Sequence, residues 1–208
     1  MSEEMIAQQP QELSVLDSAA TVPSDNLLLN TKALNLLSRV ASKFSNSEMV
    51  PDSYRGKPDN CFVACELAAR MNVSPTLVMQ NLYIVHGKPS WSGQACIALI
   101  NGSGLFDADL EFVTAGTPGN ADYCCYAKTL RNGKEIRGTT ITMQMVKDEG
   151  WSAKSGSKWR TMPEQMMKYR AAAFFARVYC PNVLMGFQTT DELNDTEREE
   201  KPKTVVTL

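Results

Sequence analysis

The chain lacks most of what a metal, redox or nucleotide-driven site is built from. It has one histidine, His86, among 208 residues, and its six cysteines, at 61, 65, 96, 124, 125 and 180, form no C-x-x-C pair. The paired-ligand spacing of a structural zinc site is therefore missing. No G-x-x-x-x-G-K-[S/T] stretch occurs, so a phosphate cradle of the P-loop kind is not supported. The glycine-rich Asn101-Gly102-Ser103-Gly104 ends a helical pattern instead of opening one, which removes a second phosphate-binding geometry. No apolar run reaches about 18 residues, which excludes a transmembrane helix. The opening Ser2-Glu3-Glu4 is not a basic stretch leading into an apolar one, so no signal peptide is expected. Unpaired thiols then predict a reduced, cytoplasmic protein. No cofactor is expected.

A strongly basic balance is also absent, since the net charge is −2. The total conceals a division. Residues 1–53 carry three Lys or Arg against seven Asp or Glu, and residues 189–208 carry three against six. Residues 128–177 hold eleven basic and four acidic side chains. Two acidic ends flank a basic body, and the local field governs what a surface attracts. An ordinary solvated face is the competing reading.

The polar, acidic residues 1–25 predict a disordered segment, 26–193 a single folded domain, and 194–208 a charged tail. Leu29, Leu34, Leu37, Val40, Ala41 and Phe44 recur at helical spacing within Leu27–Phe44. A second helix is expected from a cap at Asp59 or Asn60 to Arg70, and Pro75 opens a short third one. Leu82–Val85 and Ser90-Trp91 read as strands around a tight turn at His86-Gly87-Lys88-Pro89, followed by a helix from Ser92 to Asn101. Phe106–Thr114 reads as a strand. Tyr123–Leu130 and Lys134–Met143 flank Arg131-Asn132-Gly133, and Asn-Gly is the favoured two-residue hairpin turn. A short helix is expected at Met143–Gly150 and a polar loop from Gly150 to Arg160. Thr161-Met162-Pro163-Glu164 reads as a capping box for a helix that runs to Cys180, where Pro181 stops it. This order predicts an α+β fold, with a small antiparallel sheet of β-hairpins packed with helices.

Catalytic readings are poor. A lone histidine beside a turn glycine is more often structural than a base. Asp107, Asp109 and Glu111 would alternate along one strand and share a face, which suits either a solvated face or the metal site of a nuclease. The basic constellation says more. Arg170 and Arg177 are seven apart on the last long helix and Lys168 lies nearby, while Met166, Met167, Ala171, Phe174 and Val178 form a candidate core stripe. The preceding loop adds Lys154, Lys158, Trp159 and Arg160, and the hairpin adds Lys128, Arg131, Lys134 and Arg137. Cations that track phosphates beside an aromatic suit single-stranded nucleic acid. Trp159 reads either as a stacking platform or as a core anchor.

Residues 60–193 resemble the RecT and lambda Red beta family of phage single-strand annealing proteins. Three blocks carry the resemblance: Phe62 to Tyr83, Gly87-Lys88-Pro89-Ser90 leading to Gly102-Ser103-Gly104, and a C-terminal block. That last block runs Trp159-Arg160-Thr161-Met162-Pro163-Glu164-Gln165-Met166-Met167-Lys168-Tyr169-Arg170-Ala171, then Ala176-Arg177, then Gly186-Phe187-Gln188-Thr189-Thr190-Asp191-Glu192-Leu193. The resemblance implies a recombinase that is not an enzyme: it binds single-stranded DNA in a positively charged groove and anneals complementary strands without ATP. It also implies a homo-oligomer, ring or helical filament, working with an annealed duplex intermediate, a phage exonuclease and a host single-strand-binding protein, with no membrane. By position it implies DNA contacts at Lys88, Trp159, Lys168, Arg170 and Arg177. Glu164 departs from the pattern, since the lambda protein is basic there. An alternative use is the same fold serving as a protein-binding or anti-defence module without annealing.

Overall fold

The computed structural model describes residues 30–196; the predicted disordered segment 1–25 and the tail beyond Thr196 lie outside them. The chain divides into two compact units, Met1–Gln80 and Asn81–Leu208.

In the first unit, α1 (Thr31–Ser45) is capped by Asn30, whose side chain accepts from the Lys32 and Ala33 amides at 3.0 and 3.1 Å. It packs on α2 (Pro58–Met71), which buries Cys61, Ala64, Cys65, Leu67 and Ala68. The intervening loop is held by Arg55, which donates to the Glu48 and Val50 carbonyls at 3.1 and 3.2 Å. Asn72 closes α2 in the left-handed conformation (φ 54°), and α3 (Pro75–Asn81) follows.

The second unit contains, in order, β1 (Leu82–Val85), β2 (Lys88–Trp91), α4 (Gly93–Asn101), β3 (Glu111–Ala115), β4 (Cys124–Arg131), β5 (Lys134–Arg137) and β6 (Ile141–Thr142). Then come α5 (Met143–Asp148), α6 (Lys158–Thr161), α7 (Pro163–Tyr179), a 3₁₀ turn (Pro181–Leu184), β7 (Gln188–Thr189) and α8 (Thr190–Thr196). The fold is α+β with small antiparallel sheets, as predicted, and one pairing was not foreseen. β7 joins β2 in parallel, Trp91 against Thr189. Both hairpins turn where expected, at His86-Gly87 (φ 51° and 75°) and Asn132-Gly133 (φ 52° and 70°). Positive φ at both central residues is what a two-residue turn needs to match strand twist.

The core of this unit forms around α7. Its Ala171, Ala172, Ala173 and Ala176 are buried, and such small side chains admit close neighbours. On one side is α4, where a Cβ built on Gly93 would lie 2.5 Å from Tyr169 Cγ. β4 also packs on α7, burying Cys125, Ala127 and Thr129. Tyr126 and Lys128, in the opposite phase of the strand, belong to its outer face. No helix among the described residues is long and apolar enough to cross a membrane.

Five local expectations are corrected. The second helix starts with Pro58 in its first turn, not from a cap at Asp59 or Asn60. The strand expected at Phe106–Thr114 begins only at Glu111, because the preceding backbone is committed elsewhere. The Leu110 amide donates to Asn101 Oδ1 at 3.0 Å, and the Asp107 amide to the Leu130 carbonyl at 2.8 Å. Asp107, Asp109 and Glu111 therefore do not alternate along one strand. Thr161 ends α6 and caps nothing; Pro163 alone marks the start of α7. Val178, assigned to the core stripe, is exposed, whereas α8 carries the folded structure past Leu193.

Candidate nucleic-acid interface

The hairpin cations divide by strand phase. Lys128 and Arg137 are cross-strand partners on the outer face. Lys128 Nζ lies 3.3 Å from Glu135 Oε2 and 3.4 Å from Glu111 Oε2. Those hydrogen bonds, first to Glu135 and then to Glu111, hold its ammonium above the usual lysine range. The Arg137 guanidinium lies 3.8 Å over the Tyr126 ring and donates to Thr140 Oγ1 at 2.9 Å. This face thus carries two cations matched by two carboxylates. In the other phase, Arg131 donates to the Tyr179 carbonyl at 3.1 Å and covers Phe106 at 4.6 Å. Lys134 at the hairpin tip is exposed.

The segment expected as a plain polar loop is tied down at several points. Trp151 and Trp159 stack with centroids 5.3 Å apart and 29° between planes. Ser157 Oγ donates to the Trp151 carbonyl at 2.8 Å, and Arg160 donates to the Lys154 carbonyl at 2.6 Å. Lys154 Nζ reaches the Asn194 carbonyl on α8. Lys158 is exposed on α6. Trp159 is 1% exposed, and its indole N–H donates to Asp195 Oδ2 at 2.7 Å. The core-anchor reading of this tryptophan is the one observed.

Arg170 was expected beside Arg177 on a cationic helix face, and this is corrected. It is 3% exposed, with its guanidinium 3.8 Å over the Trp151 ring and hydrogen-bonded to Asp195 Oδ2. The seven-residue spacing does put both arginines on one side of α7, but α8 covers that side at Arg170. Burial lowers the Arg170 pKa and raises that of Asp195, because each charge has left water. Arg177, nearer the end of α7, remains half exposed and meets Glu192 Oε1 at 2.5 Å. Lys168 pairs with Glu164 at 2.7 Å, one turn back on the same helix.

Lys88 is exposed at the first hairpin and lines an open cleft of about 220 Å³ with Pro89, Gly186, Phe187 and Gln188. Beside it the Thr189-Thr190-Asp191-Glu192 run forms the capping box missing at 161–164. Glu192 Oε2 accepts from the Thr189 amide at 2.9 Å and its hydroxyl at 3.1 Å.

Of the twelve residues singled out from sequence, Trp159 and Arg170 are interior. Lys128, Lys168 and Arg177 are paired with carboxylates, while Arg131, Lys154 and Arg160 hold backbone carbonyls. Lys88, Lys134 and Arg137 are exposed with no salt bridge seen to a carboxylate among the described residues, and Lys158 is exposed with its charge acting on Asp191. Sequence reasoning missed Asp195, Trp151 and Glu135, and it grouped Glu111 with Asp107 and Asp109 instead of with Lys128. The T-x-x-E spacing at 189–192 was the available signal that a helix, and so a structured Asp195, begins there.

Residues 109–206 match the model of the RecT family. The match begins after the first two resembling blocks and takes in the third. No curated protein and no solved structure matches the chain.

Proposed function

We propose, from the match of residues 109–206 to the RecT family model, that the chain binds single-stranded DNA and anneals complementary strands in recombination. It does so as a homo-oligomer, without ATP and without catalysis, its annealing domain running from residue 26 through α8 instead of ending at 193. The observation that carries the reading is the family match, which takes in the whole of the basic segment 128–177. Exposure supports Lys88, Lys134, Arg137 and Lys158 as the first phosphate contacts, with Lys154 and Arg160 beside them on the anchored loop. Lys128 and Lys168, whose partners are exposed, join by exchanging carboxylates for phosphates, whereas Arg177 stays on the buried Glu192. Trp159 and Arg170 are left out of the contact set.

The mechanism follows from electrostatics. Neutralising phosphates releases counterions and reduces strand–strand repulsion, while the bases stay free to test for pairing. Stacking worth roughly 1.4 kcal/mol per base-pair step then drives annealing, so no nucleotide hydrolysis is required. A few cations per subunit hold DNA weakly, and repetition along an oligomer turns weak sites into avidity. A phage exonuclease and a host single-strand-binding protein are the further proposed partners.

The test is annealing of two dye-labelled complementary oligonucleotides without ATP, alongside binding measured across salt. Wild type should accelerate annealing, and a Lys88/Lys134/Arg137→Ala variant should bind with a log–log salt slope shallower by about two. A folded wild type that binds no oligonucleotide at low salt would refute the proposal. The second reading, a protein-binding module, is favoured by the carboxylates Glu111, Glu135 and Glu164 that already occupy Lys128 and Lys168; it requires that null result.

A further inference from the structure

We propose that Asp195 is a positioning residue for DNA binding, the residue that fixes the basic segment Lys154–Arg160 in its binding conformation. The assignment rests on the single-strand-binding reading above and deepens it.

Four observations converge. A single carboxylate oxygen, Asp195 Oδ2, receives both the Trp159 indole N–H at 2.7 Å and the Arg170 guanidinium. Trp159 lies between Lys158 and Arg160, so fixing its ring fixes the backbone from which both cations project. The neighbouring Asn194 carbonyl receives Lys154, which tethers the start of the segment to the same helix. Arg170 stacks on Trp151 at 3.8 Å, and Trp151 stacks on Trp159, so the two ends of the segment close on one buried cluster.

The cluster is a costly way to fill an interior. A buried guanidinium is tolerated only when paired, and apolar side chains of similar volume usually serve stability as well or better. What the ion pair adds over apolar packing is direction: one oxygen, two donors, one orientation of α8 against the tryptophans. Contacts to a phosphate backbone need cations held at set positions, and α8, which carries no Lys or Arg of its own, supplies that constraint.

The experiment compares full-length wild type, Asp195→Asn, Asp195→Ala, the triple Lys154/Lys158/Arg160→Ala, and the triple combined with Asp195→Asn. Asp195→Asn keeps an acceptor for Trp159 and removes only the charge, so it serves if the alanine variant loses its fold. Amide exchange of residues 151–161 without DNA is expected to quicken by about tenfold or more in Asp195→Asn while β4 stays protected. The salt slope for binding an oligonucleotide is expected to fall by about two, as in the triple, with no further fall when the two are combined. Unchanged exchange over 151–161, or losses that add in the combined variant, would overturn the assignment. A wild type that binds no oligonucleotide sinks the annealing reading and the DNA half of this one; loop exchange still decides whether Asp195 holds the loop.

Discussion

Two clusters in the second unit each pair a cation with carboxylate and differ in depth. On the outer face of the sheet, Lys128 sits between Glu111 and Glu135, both more than half exposed. Between α7 and α8, Arg170 meets Asp195 with side chains 3% and 10% exposed. Water screens the first cluster, so its partners are exchangeable and a phosphate can replace a carboxylate at little cost. The second has no water to fall back on, so each charge depends on the other and the pair becomes architecture. Depth separates an exchangeable ion pair from a structural one.

The sharpest way to break this contrast is to unpair the interior. Asp195→Ala should lower unfolding free energy by about 3–5 kcal/mol in denaturant titration, because it strands a buried guanidinium. The apolar pair Arg170→Met with Asp195→Leu should be far milder than that single change. An Asp195→Ala chain as stable as wild type would show the pair to be hydrated.

The interior of each unit should also refuse charges that have no partner. Burial pushes the Cys65 and Cys125 thiols up to about 11 from an ordinary value near 9. Between those values the unfolded chain releases protons that the folded chain keeps. The folded state then binds more protons, and stability falls as pH rises. Thermal midpoints should decline from about pH 9 to 11, and less so in Cys65→Ala/Cys125→Ala. A decline of the same size in that variant would place its cause elsewhere.

The smallest effect belongs to the outer cluster. Lys128→Ala should leave the thermal midpoint at the wild-type value, since the pair it removes is exposed and screened. Glu111→Gln/Glu135→Gln should raise oligonucleotide affinity modestly by freeing Lys128, and weaker binding would contradict the exchange described above.

What sequence made legible follows the range of the interaction involved. His86-Gly87 and Asn132-Gly133 announce their turns because positive φ is a demand on the residue itself. Pro163 and Pro181 mark the limits of α7 for the same local reason. The start of β3 was not legible, since it depends on Asn101 capturing the Leu110 amide across nine residues of chain. Nor was the fate of Arg170: helical spacing places it with Arg177 but cannot say which of the two another helix covers. The neutralisation of Lys128 likewise required the register that sets it opposite Glu111.

The location of Asp195 also determines where the chain can be shortened. It lies two residues beyond Leu193, the last residue of the resembling C-terminal block, and so outside any fragment trimmed to that block. Such a fragment would keep every residue of the block and remove the one carboxylate its buried arginine pairs with. The smallest self-sufficient form of this unit is therefore set by an ion pair, and it ends no earlier than the helix that carries Asp195.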